Sequence, residues 1–258
     1  MLIVISPAKN LDYETPPTTK VYSQPQLLKQ AQGLIDICKQ LSVSDLSDLM
    51  GISKKLADLN AARFDGWQVP FTPSNAKQAL LAFNGDVYIG LNASGLAEKD
   101  LNFAQDHLRI LSGLYGVLRP LDLIQPYRLE MGTRLKNPKG QTLYKYWGSS
   151  ITDNLNATLR KNKDDTVVNL ASDEYFKSVD LSILDAAIVT PVFKDKKNGQ
   201  YKVISFFAKK ARGLMANFII REQIKDVEDL KAFDVAGYHY AEVESHPLKP
   251  VFLRNEAV

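Results

Sequence analysis

Two short apolar runs, Leu2-Ile3-Val4-Ile5 at the start and Thr166-Val167-Val168-Asn169-Leu170-Ala171 well past the middle, set the strongest limit on the fold. Neither alternates apolar with polar residues, so each reads as a strand covered on both faces, the situation of strands in a buried sheet. Each run also breaks abruptly into polar chain: Ser6-Pro7-Ala8-Lys9-Asn10 after the first, Ser172-Asp173-Glu174-Tyr175-Phe176-Lys177 after the second. Loops that leave the carboxyl ends of buried strands are where α/β sheets place ligand-binding groups. Lys9 is therefore a candidate anion contact, and Asp173 and Glu174 are candidate catalytic carboxylates. If the two strands are parallel neighbours, Ser6, Lys9, Asp173 and Glu174 meet in one cleft. There a carboxylate would serve as general acid or base and Lys9 would hold an anion, an arrangement fit to act on a nucleotide or a damaged base. The ordinary alternative is a solvated lysine, an aspartate capping its turn and a glutamate facing water.

Around these strands the pattern is mixed. Apolar residues at helical spacing run through residues 25 to 40 (Leu27, Leu28, Ala31, Leu34, Ile35) and 43 to 60 (Leu46, Leu49, Ile52, Leu56, Leu59), with Ser44 as N-cap. Further helices are expected over 74–83, 94–111 and about 150–160, and a short strand over Asp86-Val87-Tyr88-Ile89-Gly90. Strands over 186–193 and 201–208 flank Lys197-Asn198-Gly199-Gln200, whose Asn-Gly pair is a hairpin turn. The last residues, from Ala241, read as a terminal strand with a frayed end. With no repeat, low-complexity tract or linker, the expectation is a single domain over 1–258, α+β (mixed α/β), with a buried central sheet flanked by helices. An apolar content of 45% with 24% charged residues suits a globular core of this size.

Residues 108 to 136 present a second candidate site. Leu108, Ile110 and Leu111 read as the end of a helix that stops at Gly113, and Pro120 is placed to open another. That is the outline of a helix-hairpin-helix, in which Gly113 and Gly116 let the backbone approach a phosphate while Arg109, Arg119, Arg128 and Arg134 surround the turn. Two residues separate these glycines where the motif usually has one. A capping glycine followed by a proline-started helix is the plainer alternative.

Net charge does not announce a polyanion partner, since +3 is the difference between 32 basic and 29 acidic residues. Local charge does. Between Lys202 and Lys225 the bases Lys202, Lys209, Lys210, Arg212, Arg221 and Lys225 face one acid, Glu222, six against one, a net of +5. Lys209, Lys210 and Arg212 fall at an expected strand-to-helix junction, where they would project together toward a row of phosphates. Tyr144, Tyr146 and Trp147 cluster elsewhere, in a pattern that serves packing or base stacking. Trp67 is expected to close a core edge. His107, His239 and His246 lack ligand spacing and Cys38 stands alone in a helical run, so no metal or cofactor is expected and the thiol reads as buried. No phosphate-binding glycine loop or nucleophile elbow occurs. Without an apolar run long enough to cross a bilayer or a signal peptide at MLIVIS, the expected partner is not a membrane and the expected setting is a reducing cytoplasm.

Several longer stretches then carry a resemblance. ISPAKNLDYETP at the start, LNAARF at 59–64, LSGLYGVLRPLDLIQPYRLEMG at 111–132, LYKYWG at 143–148, VNLASDEYFKSV and ISFFAKKARGLMANFII together resemble the YaaA family of peroxide stress resistance proteins, nearly end to end. The resemblance implies a cytoplasmic bacterial protein of the peroxide response, with a single-domain mixed α/β fold peculiar to the family. It also implies a DNA-binding protein linked to DNA protection and repair, with a helix-hairpin-helix, mapping to Ser112–Pro120, and a basic cleft. On that footing Arg109, Gly113, Gly116, Arg119, Arg128, Lys209, Lys210 and Arg212 are the expected DNA contacts, to backbone and with little sequence preference.

Overall fold

The computed structural model describes residues 1–255. Leu2–Ile5 forms β1, every residue of it buried. It lies in the middle of a five-stranded sheet with β2 (Leu108–Ser112), β3 (Gly116–Leu118), β4 (Thr166–Leu170) and β5 (Ala187–Val189), in the order β3-β2-β1-β4-β5. β2, β1, β4 and β5 are parallel, and only β3 runs against its neighbour. The two apolar runs are thus adjacent parallel strands, with Ile5 level with Leu170. Burying each large side chain of β1 contributes roughly 1.5–3 kcal/mol, which fixes this strand at the centre.

A second sheet of four strands carries the carboxyl-terminal third: β6 (Val192–Lys197), β7 (Gln200–Lys202), β8 (Tyr238–Tyr240) and β9 (Val251–Arg254), in the order β7-β6-β9-β8. The expected Asn198-Gly199 turn joins β6 to β7, both residues at positive φ. The terminal strand is β9, and the frayed end expected beyond it reaches residues 256–258, outside the described residues. One continuous apolar core joins the sheets into a compact α+β domain.

The longer helices are α1 (Leu28–Cys38), α2 (Val43–Met50), α3 (Lys54–Gly66), α4 (Asp86–Leu91), α5 (Glu98–His107), α6 (Ser150–Asn162) and α7 (Ser205–Arg221). α5 lies on β2, α6 on β3, and α7 on α4, β4 and β6. The helix expected over 43–60 divides at Gly51, which ends α2 in the left-handed region. Its cap is Ser42, whose hydroxyl accepts from the Asp45 N–H while the Asp45 carboxylate accepts from the Ser42 N–H. Over 74–83 the expected helix shrinks to one turn, Ala79–Ala82, preceded by a two-residue strand, Lys77–Gln78.

Two larger differences bear on function. Asp86–Gly90, expected as a strand, is helix α4, pressed against α7 so closely that a side chain at Gly90 would meet the Lys210 carbonyl at 2.2 Å. The helix-hairpin-helix expected within 108–136 is absent: Leu108–Leu118 is the β2–β3 hairpin, and the helix expected from Pro120 is replaced by a two-residue strand, Leu123–Ile124. All five residues of β2 are buried, so the apolar spacing served a two-faced strand rather than one face of a helix. Gly113 and Gly116 shape the hairpin turn inside the core: a Cβ on Gly113 would meet the Leu129 carbonyl at 2.2 Å, and Gly116, at φ 69°, lies under the Trp147 ring. Neither backbone is free to approach a phosphate.

Candidate functional site

The paired ends of β1 and β4 open a cavity of about 430 Å³. β1 connects onward to β2 on one side and β4 to β5 on the other, so this is the point where the sheet's winding reverses, the crevice in which parallel sheets bind ligands. Ser6 and Ser172 lie at its floor. The Ser6 hydroxyl oxygen accepts from the Ser172 N–H at 2.9 Å and donates to the Ser172 hydroxyl at 3.3 Å, which ties the two strand ends together. Tyr88, from α4, donates its hydroxyl to the Ser6 carbonyl at 3.0 Å. Burial raises the Tyr88 phenol well above its ordinary range, so it stays a protonated donor.

The walls alternate in charge. Lys9 reaches Glu130 at 3.0 Å with an exposed side chain, and Arg128 holds the other Glu130 oxygen at 3.2 Å. Glu174, in the single helical turn Asp173–Phe176, accepts from the Gly132 N–H at 2.8 Å through Oε1. Lys209 and Arg212 enter from α7. Arg212 is half-buried; desolvation lowers its pKa, and attraction to Asp173 opposes that shift. Asp173 itself is exposed and does not line the cavity. The result is one space lined by three cations, Lys9, Lys209 and Arg212, and three carboxylates, Asp86, Glu130 and Glu174, the last two each fixed by a partner. It can hold an anionic group against Lys209 and Arg212, while Lys9 and Glu130 are paired with each other on its wall. Among the described residues no cluster of three or more His, Cys, Asp or Glu could hold a metal ion.

Ser6, Lys9, Glu174, Lys209 and Arg212, chosen from separate stretches of sequence, all meet here. The arginines of the hairpin do not. Arg109 is 5% exposed, and its guanidinium donates to the carbonyls of Gln105 and Leu108 and to the Thr158 hydroxyl. Arg119 is bound by Asp122 at 2.8 Å and to the Gln24 carbonyl. Arg128 contributes by holding Glu130, while Arg134 and Lys210 are exposed outside the cavity. Because α7 starts at Ser205, the three bases at 209–212 lie in its first turns rather than at a strand junction. Glu130, Asp86 and Tyr88 went unforeseen. Glu130 sits in a motif, Arg128-Leu129-Glu130, whose arginine drew attention away from the acid, and the other two were hidden by reading α4 as a strand.

The chain is thus an α+β protein with a parallel-centred sheet and a mixed-charge pocket at its switch point. The family model for peroxide stress protein YaaA matches residues 1–244, so the chain belongs to that family. It is 59% identical over 254 residues to a UPF0246 protein of Shewanella sp. strain W3-18-1, covering 98% of this chain and 99% of that one. A UPF0246 protein of Shewanella baltica strain OS185 is 57% identical over 256 residues, covering 99% and 100%. Among the described residues no helix is long and apolar enough to cross a membrane.

Proposed function

We propose that this peroxide stress protein holds DNA by its backbone at the mouth of the cavity and admits one nucleotide into it. Lys9, Lys209 and Arg212 supply phosphate contacts, with Lys210 just outside. The observation that carries the reading is the convergence of these cations, from chain segments some two hundred residues apart in sequence, on a cavity within the roughly 300–1,000 Å³ range of small-ligand sites. A base inside such a pocket has left its stack, which is easiest for a damaged or unpaired one. Gly113, Gly116, Arg109 and Arg119 have no part in this version of the site.

The presence of Glu130 and Glu174 beside the cations favours a second reading, an enzyme acting on the nucleotide or damaged base. Glu174, fixed by the Gly132 N–H, is then the general acid or base, and Asp173 orients Arg212. Titration of labelled DNA at several salt concentrations tests the first reading. Changing Lys209, Lys210 and Arg212 together to alanine is expected to weaken binding and to flatten the log–log salt slope by about 0.9 for each phosphate no longer neutralised. Unchanged affinity and slope would refute the assignment. For the second reading, Glu174→Gln should abolish product formation on oligonucleotides carrying oxidised bases while binding persists; product formed at the wild-type rate removes Glu174 from the chemistry.

A further inference from the structure

Among the described residues, one apolar patch beside Lys209 is left open to solvent. Val203, Phe206 and Phe207, at the junction of β7 and α7, are exposed, Phe206 by 58%. Single exposed apolar residues are ordinary, but three within one five-residue stretch, flanked in sequence by the exposed cations Lys202, Lys209 and Lys210, are not. The two rings are braced. Phe207 sits under the Arg254 guanidinium, 4.6 Å from its ring centre, and Phe206 meets Phe207 edge-on at 5.7 Å. Arg254 is in turn held by Asp195. An exposed, pre-positioned aromatic beside cations fits bases on its ring face and phosphates on its rim.

We infer that Phe206 is a stacking platform for single-stranded DNA, receiving the base next to the one in the cavity; this rests on the DNA reading above. Phe206 precedes Lys209 by three residues, so the two are neighbours on the helix surface. Lys209 and Arg212, which both line the cavity, lie three and six residues on, rises of about 4.5 and about 9 Å along the axis. Bases stacked in a duplex strand are only about 3.4 Å apart. A base that lays its face on the Phe206 ring has given up the face of its neighbour, which only an unpaired strand allows at low cost. The platform makes the protein selective for single strands, whereas the lysines alone would not discriminate.

The test is fluorescence anisotropy with a labelled oligothymidylate and a blunt duplex of equal length. Phe206→Ala should weaken the single strand roughly tenfold, the loss of one stacked base, with its salt slope and the duplex affinity unchanged. Phe206→Trp should restore affinity, and its emission should be quenched on adding the oligonucleotide, against a background from Trp67 and Trp147, which are both buried. An exposed position leaves folding intact, checked by an unchanged melting temperature. If Phe206→Ala leaves single-strand affinity at the wild-type value, the platform is refuted while the DNA reading stands. If wild-type protein binds neither oligonucleotide, both fall. A wild-type dimer that Phe206→Ala converts to monomer without loss of affinity would likewise overturn the platform and make the patch a contact between two copies.

Discussion

Arg109 carries three of its hydrogen bonds inward, two from Nη1 to the Gln105 and Leu108 carbonyls and one from Nη2 to Thr158. Burial brings its pKa down to about 10, so it is still charged at neutral pH. A cation in that position organises the start of β2 rather than meeting DNA. Arg109→Ala is expected to cost about 2–3 kcal/mol, because two carbonyls lose their donor in a dry site. The melting temperature should drop by several degrees while the salt slope of DNA binding stays at the wild-type value; a flattened slope would place Arg109 on the phosphates after all. Sequence gives the charge of a residue but not its depth. Cys38 was legible because it sits in an apolar helical pattern, and Trp67 because a tryptophan beside a helix end most often closes a core edge; burial pushes the Cys38 thiol up to about 12. Arg109 was not, since an arginine inside a buried strand looks from the sequence like an arginine beside a turn.

Between elements, the tightest contact is α4 against α7. A Cβ on Gly213 would meet the Val87 carbonyl at 1.8 Å, so the helices touch backbone to backbone with no atom to spare. Gly213→Ala must push them apart, an overpacking cost of about 1–3 kcal/mol. Because α4 brings Asp86 and Tyr88 to the pocket and α7 brings Lys209 and Arg212, the shift should also weaken ligand binding there. Chemical denaturation and DNA titration on one preparation check both effects; wild-type affinity in a destabilised variant would mean that the helix crossing does not set the pocket. This contact also explains why Asp86-Val87-Tyr88-Ile89-Gly90 was misread. Its valine, tyrosine and isoleucine favour strand locally, and only a glycine more than a hundred residues away makes the helical packing available. The β2–β3 hairpin was hidden in the same way, since Gly113 and Gly116 punctuate a helix end and a hairpin turn alike.

At the scale of the molecule, the pocket was the most legible part. Two unbroken apolar runs that pair as parallel neighbours bring their polar sequels together, and here Ile5 stands level with Leu170. The brace between the second sheet and the start of α7 was not legible, because it depends on side chains from three strands of that sheet. Asp195 on β6, 4% exposed, accepts from the Tyr238 hydroxyl on β8 at 3.0 Å and from the Arg254 Nε on β9 at 2.5 Å. Arg254 then covers Phe207 at the head of α7. The second sheet thus holds the first turns of the helix that supplies the cations of the pocket. Asp195→Ala leaves a guanidinium and a phenol without their acceptor and is expected to cost about 3 kcal/mol. If the link is local, hydrogen exchange should quicken at Ala208–Lys210, whose helix start loses its brace, while the amides of Ile3 and Val168 in the central sheet keep wild-type protection. Equal loss of protection in β1 and β4 would show that the two sheets open as one unit.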